Sequence, residues 1–339
     1  MTKKSKPQNT HLNQARALAE RIDQQPELWA QRELGCKFHC RSTGQKLHWP
    51  SAIFSRLAID LPEPTSVLGT LENLKKKSGI SIVEQEVNSS QRLSDRMGSG
   101  ADRSMDDGLS IQPIFIDEPI RFEGLMHAEQ IELQFIPASS KSSLANYASG
   151  YLAQRWMPTL PSDLTDVDKM SKRIELLRSA SDQATVIVGG TLPAGAVYDD
   201  VRFLIDSGVD YVNVLAQVAA GLNPPKSFSF QPMDYVIEQA LGAIDKSGVS
   251  DIALLVSSRI DHVQDGLRLL SAGVDAFCID SWLIEQHTEN TSTASSADDL
   301  SSFMGSYVRP SATASVDGML KAALSFVEEF NSLRRVFEI

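Results

Sequence analysis

From residue 163 onward, apolar positions fall into two alternating textures. Short continuous apolar runs, "ATVIVGG", "VDYVNVL", "DIALLVSS" and "VDAFCID", alternate with longer stretches whose apolar residues recur every three or four positions, "AVYDDVRFLIDSG", "MDYVIEQALGAIDKSG" and "HVQDGLRLLSAG". The runs read as strands covered on both faces, and the periodic stretches as helices with one buried face. Each of these helices ends at glycine, Gly208, Gly248 or Gly273, where a left-handed cap meets no Cβ clash. Before them, "DLTDVDKMSKRIELLRSA" (163–180) predicts a helix with acidic residues in its opening turn, which suits the positive end of the helix dipole.

Successive strand–helix units with short turns imply a parallel sheet with right-handed crossovers. The segments "LIDSGVDYVNV" and "LLSAGVDAFCI" repeat one helix–Gly–Val–Asp–strand transition. That spacing fits two units of a (β/α)8 TIM barrel better than a solenoid repeat. The fold expected is α/β, with an irregular N-terminal extension and a flexible Ser/Thr/Ala-rich insertion, 288–315, before a closing amphipathic helix in "VDGMLKAALSFVEEFNSLRRVF". Residues 109–339 are read as the barrel, and residues 1–108 as an extension that could contribute its first strands. Within that extension, 11–34 reads as a helix interrupted at Pro26, 35–70 as irregular, and 88–108 as a mobile polar loop. "SIQPIFID" and "EQIELQFI" are β-rich, the second with partial polar alternation.

Composition narrows the function classes. With 339 residues the chain can bury a large core, and 42% hydrophobic content is ordinary for a globular protein. A net charge of −11 argues against a nucleic-acid footprint or an anionic membrane surface. There is no apolar run of about 18 residues to span a membrane, and the basic N-terminus is followed by polar residues rather than a secretory core. A cytoplasmic protein is expected. Cys36, Cys40 and Cys278 make no disulfide framework. "CKFHC" invites a metal reading through Cys36, His39 and Cys40, but no second ligand cluster accompanies it. An incidental polar loop is the expectation.

A barrel of this kind carries chemistry on the loops that follow its strands, and it often holds a phosphate at the last two junctions. Those junctions offer Ser257, Ser258 and Arg259, then Asp280, Ser281 and Trp282. The hydroxyls and Arg259 suit an anion, whereas Asp280 opposes one. The same residues also read as helix-capping turns. "IDHVQD" (Asp261, His262, Asp265) and "YDD" (198–200) read as helix starts. No dinucleotide fingerprint or P-loop pattern occurs.

The order of segments from 163 to 284 resembles the FMN-binding domain of glutamate synthases, especially their single-domain bacterial and archaeal relatives. "AEQIELQFIPASSK" more weakly resembles the strand and lysine-bearing loop that precede it in that family. The resemblance implies an FMN site at the barrel mouth. Its phosphate would be held by Ser257, Ser258, Arg259, Asp280 and Ser281. Lys141 or Gln217 would face the ring, and Gly221 is what remains of the glycine-rich loop. No iron–sulfur cluster is expected. The chain departs from the pattern where the family's strand lysine gives way to Val188-Gly189-Gly190. It departs again where the family's glycine loop becomes "LAQVAAGLNPP". Close backbone approach to a cofactor is lost with those glycines, and a positive charge near the flavin is lost with the lysine. Two functions follow. One is a degenerate, non-catalytic or weakly flavin-binding barrel acting as a binding or assembly module, with a protein partner or a second copy. The other is an FMN-dependent oxidoreductase acting on a small amino or keto acid. No catalytic residue and no metal site are assigned.

Overall fold

The computed structural model describes residues 35–49, 51–55, 80–82, 84–85, 110–115, 125–126, 128–135, 166–194, 196–215, 232–258, 260–279, 282 and 316–337. Eleven strands are present among them: β1 Cys36–His39, β2 Lys46–Trp49, β3 Ile53–Ser55, β4 Ser81–Ile82, β5 Glu84–Gln85, β6 Ser110–Phe115, β7 Gln130–Gln134, β8 Ile187–Pro193, β9 Tyr211–Leu215, β10 Ala253–Ser257 and β11 Ala276–Cys278. The helices are α1 Val167–Ser179, α2 Val197–Ser207, α3 Met233–Ser247, α4 Val263–Ala272 and α5 Val316–Phe337.

β3 to β11 form one parallel sheet in the order β4-β3-β11-β10-β9-β8-β7-β6-β5. Its two ends, β4 and β5, are separated in sequence by one residue. β4 pairs with β3 through Phe54↔Ser81, and β5 pairs with β6 through Glu84↔Ser110. One short stretch therefore borders both the first and the last strand of the list, and the sheet closes on itself with eight strand positions. This is the TIM-barrel arrangement.

Register assigns the two faces. Gly190, Val212 and Leu254 are rung partners. A Cβ on Gly190 would meet Leu204 of α2 at 2.5 Å, so this set faces the helices. α2 buries Val201, Leu204 and Ile205, and α3 buries Val236, Ile237 and Ala240. Phe277 of β11 packs against Phe326 and Phe330 of α5, with ring centroids 6.2 and 6.0 Å apart, so α5 closes the shell over the last strand. The opposite set, including Glu132, Gly189 and Tyr211, points into the barrel.

The repeated Gly-Val-Asp segment has a shared mechanical role. Gly208 and Gly273 cap α2 and α4 with φ of 99° and 114°. Each following aspartate then clamps the start of the neighbouring strand. Asp210 accepts from Val188 N–H at 2.7 Å, and its own N–H donates to Val188 C=O at 2.7 Å. Asp275 does the same with Leu254, at 2.8 Å in both directions.

Segment 35–55 corrects the expectation of irregular chain. β1 and β2 form an antiparallel hairpin with Cys36 opposite Trp49 and His39 opposite Lys46, and β3 enters the barrel. The first four residues of "CKFHC" are thus a strand, with Cys40 at the start of the turn that follows, rather than a polar loop. Cys36, Phe38 and Cys40 are buried while Lys37 is exposed, the alternation of a half-buried strand. The calls on 11–34, on 88–108 and on the insertion 288–315 lie outside the described residues.

Candidate functional site

The two ends of the barrel are built differently. At the N-terminal end the β1–β2 hairpin covers the opening with aromatic rings. Phe38 sits edge-on to Tyr211 and to Trp49, at centroid distances of 5.2 and 4.8 Å, and Trp49 continues to Phe54 at 5.3 Å. Edge-to-face pairs of this kind add to the hydrophobic gain of burying the rings. The hairpin is also tied by charge. Asp210 is fully buried and accepts from Arg41 N–H at 2.8 Å and from Arg178 Nη2 at 2.7 Å, in addition to Val188. Arg41 Nη1 donates to Ile205 C=O at 2.6 Å. Burial pushes the Asp210 carboxyl above its ordinary range, against the opposing pull of Arg178 and the two backbone N–H groups. Nearby, burial also pushes the Cys40 thiol up, but hydrogen bonds with Ser42 and Thr43 together bring it below its usual value.

The interior and the C-terminal half of the barrel hold a polar array. On β7, Gln130, Glu132 and Gln134 alternate with Ile131 and Leu133, and all three polar side chains are fully buried. Gln134, Thr191 and Asn213 stand on one rung across β7, β8 and β9. Glu132 is the hub. Its Oε2 accepts from the Tyr211 hydroxyl at 2.8 Å, and its Oε1 accepts from the Thr191 hydroxyl at 2.7 Å and from the Gln134 amide. Thr191 Oγ1 accepts from Asn213 Nδ2 at 3.1 Å, and Asn213 Oδ1 accepts from Ser257 Oγ at 3.1 Å. The chain of bonds runs from mid-barrel to Ser257, the last residue of β10, which is partly exposed. Gln134 Oε1 and both polar side-chain atoms of Gln130 are buried without a hydrogen-bond partner among the described residues. A scaffold barrel fills this layer with branched aliphatic residues. Polar groups buried here carry a desolvation cost that a site can turn to use.

Glycine at position 189 is required by this array. A Cβ there would lie 2.0 Å from the Tyr211 ring. In the glutamate synthases that segments 163–284 resemble, a lysine stands near this point of the strand, and this chain has Val188-Gly189-Gly190 there. Here the Tyr211 ring occupies the space, with its hydroxyl on Glu132.

Of the residues named from sequence, Ser257 joins the array and Ser258, next in the chain, is buried. Lys141, Gln217, Gly221, Arg259, Asp280 and Ser281 lie outside the described residues. "IDHVQD" is a helix start as read: His262 is the N-cap of α4 and its N–H donates to Asp265 Oδ2 at 2.8 Å. "YDD" likewise opens α2. There, burial raises the Asp200 carboxyl to about 6, with Asp199 adding repulsion. Sequence reasoning passed over Glu132, Gln134, Thr191, Tyr211 and Asn213. The usable signal was polar residues at every second position of β7, in a fold where the opposite face is covered by helices. Among the described residues no group of three or more His, Cys, Asp or Glu is placed to hold a metal ion.

No protein-family model matches the chain, and no curated protein matches it. A solved mandelate oxidase mutant with the C4a-OH-FMN adduct is similar in fold, with a TM-score of 0.50 at 12% identity over 97% of this chain and 88% of that one. A mandelate oxidase structure with 2-hydroxy-phenylacetamide gives a TM-score of 0.48 at 12% identity, covering 97% and 93% of the two chains. At this identity the likeness is one of architecture: the chain has a TIM-barrel fold.

Proposed function

We propose that the chain is an FMN-dependent oxidoreductase of the TIM-barrel type, acting on a small acid at the C-terminal mouth of the barrel. The observation that carries this reading is the buried array of Glu132, Gln134, Thr191, Tyr211, Asn213 and Ser257. It leads from the barrel interior to the end of β10, the face on which barrels of this kind carry their chemistry. The resemblance of segments 163–284 to glutamate synthases supports a flavin, and the fold likeness to an FMN-bearing oxidase is consistent with one.

The side chains at this end fit the ring of such a cofactor. A flavin's pyrimidine edge offers an N–H donor between two carbonyl acceptors, and buried amides are matched to it. Gln134 Oε1 is an acceptor with no partner among the described residues. Ser257 and Ser258 stand at the strand end next to which a phosphate is held in this fold. When bound, FMN would supply the acceptor for a hydride. The chain's own contribution is to orient. Glu132 fixes Thr191 and Tyr211, Thr191 fixes the Asn213 amide, and Asn213 fixes Ser257. Bonds fixed in advance in a dry interior cost no reorganisation during reaction.

The second reading, a barrel retained as a binding or assembly module, is favoured by Gly189. There the Tyr211 ring excludes any side chain from the place of the family's lysine. The visible absorbance spectrum of the purified protein separates the two, with mass spectrometry of whatever is released on denaturation. A flavin spectrum and released FMN are expected. Colourless protein that also fails to take up added FMN overturns the oxidoreductase reading.

A further inference from the structure

We infer that the N-terminal end of the barrel is a dimer interface, on which a second copy of this chain packs about a two-fold axis. Assembly through that end leaves the mouth open, whatever the mouth binds.

In a parallel barrel the segments just ahead of each strand and the last turns of the preceding helices share one end. Two apolar side chains stand out there. Met126, ahead of β7, and Leu176, in the last turn of α1, are the large hydrophobic residues exposed among those described, each at 51%. Backbone bonds keep them on one side of the barrel: Asp182 N–H donates to Met126 C=O at 2.8 Å, and Ala180 N–H donates to Leu176 C=O at 3.0 Å. Charge at this end falls into two groups. The register of β1 with β2 turns Lys37, His39, Lys46 and His48 to the outer face of the hairpin, opposite the buried Phe38 and Trp49. From Leu34 to Ile59 the chain has no Asp or Glu, although acidic residues outnumber Lys and Arg by 43 to 32 overall. On the rim, Asp182 ahead of β8, Asp245 in the last turn of α3 and Asp251 ahead of β10 are exposed, with Lys246 beside Asp245. His39 Nδ1 lies 3.9 Å from Asp251 Oδ1, so the basic face borders the acidic rim. A two-fold interface uses the same patch twice, and both halves of each contact must therefore lie on one surface. This end carries cations, carboxylates and apolar side chains together. A partner of different sequence has no need to find both signs of charge on it. Desolvated apolar anchors supply affinity in such an interface, and the charges set register and exclude wrong partners.

The test is sedimentation velocity of the full chain over a range of concentrations, with wild type expected as two copies. Lys37→Glu with Lys46→Glu sets hairpin and rim at the same sign and is expected to weaken association about tenfold or more. Asp182→Lys with Asp245→Lys does the same from the other side. Mixing these two doubly reversed proteins is expected to restore the dimer, because each hairpin again faces a rim of opposite charge. Leu176→Ser is expected to weaken association at any salt concentration, and the effect of the charge reversals to shrink at high salt. Asp168→Lys, at the opposite end of α1, is expected to change nothing. All these side chains are exposed, and a far-ultraviolet spectrum with a urea midpoint confirms that each variant is folded. Recovery in the mixture also requires both reversed proteins to be folded. A wild-type monomer overturns the inference and leaves this face to a different protein. A dimer that survives both the hairpin reversal and Leu176→Ser overturns it too, as does a mixture that stays monomeric or a loss of equal size in Asp168→Lys.

Discussion

Asp210 and Glu132 are both fully buried carboxylates, and they have opposite kinds of neighbour. Asp210, at the N-terminal end, is held by an arginine side chain and two backbone N–H groups, and its bonds join the hairpin, α1 and β8 into one unit. Glu132, in the interior, accepts from the side chains of Tyr211, Thr191 and Gln134, and the bonds that follow lead toward the strand ends. Backbone donors are fixed by the fold, so a carboxylate among them stabilises the fold. Side-chain donors can rotate, so a carboxylate among them sets the orientation of the side chains around it. Polar networks of the second kind specify one arrangement where their bonds are made, and their value lies in that specification more than in net stability.

The largest expected effect comes from breaking the first of these. Asp210→Ala leaves Arg178 with the Gly208 carbonyl but without its carboxylate, and strands the N–H groups of Arg41 and Val188. It is expected to cost about 3–5 kcal/mol, read as a lowered urea midpoint at unchanged slope. Gly189→Ala crosses between the two ends. Its methyl group drives the Tyr211 ring from its place, disturbing both the Phe38 contact and the hydroxyl on Glu132. A loss of about 1–3 kcal/mol is expected, accompanied by weaker ligand binding at the mouth. A loss of stability with binding intact would separate Tyr211 from the array.

The smallest effect is a pH dependence at the start of α2. Asp200 has its carboxyl raised to about 6 by burial, then by Asp199, against 3.8 for the unperturbed group. The folded state therefore binds more protons than the unfolded state between those values, and this group's contribution falls as pH rises from about 4 to about 6. Asp200→Asn removes that penalty. It is expected to raise stability by about 1 kcal/mol above pH 6, discounted because the side chain is partly exposed, and to change little below pH 4. Urea midpoints across that range check it, and a gain that does not vary with pH would contradict the assignment.

The helices, the parallel strands and the closing α5 were legible because each is specified by local periodicity, with a glycine cap closing α2, α3 and α4. Gly208 and Gly273 stand where they were expected, with left-handed φ. The β1–β2 hairpin was not legible. Its strands are four residues each, and Lys37, Lys46 and His48 on its exposed face mask the buried Phe38 and Trp49. The polar array was hidden for a different reason. Gln134, Thr191 and Asn213 are neighbours only because parallel pairing places them on one rung. No spacing along the chain records that register. Ser257 was named from its place at a strand end, and its actual partner, Asn213, is a single polar residue in an apolar run.

The central claim is that the N-terminal end holds the barrel together and the polar interior serves its mouth. The most direct test compares FMN bound per folded molecule in two variants. Asp275→Ala removes the Leu254 clamp at the N-terminal end, and Asn213→Leu interrupts the array at similar side-chain volume. The account predicts that Asp275→Ala keeps its full FMN content while losing about 1–3 kcal/mol of stability. Asn213→Leu is predicted to lose its FMN with stability changed by less than about 1.5 kcal/mol. Full FMN content in Asn213→Leu, with the loss falling on Asp275→Ala, would contradict it.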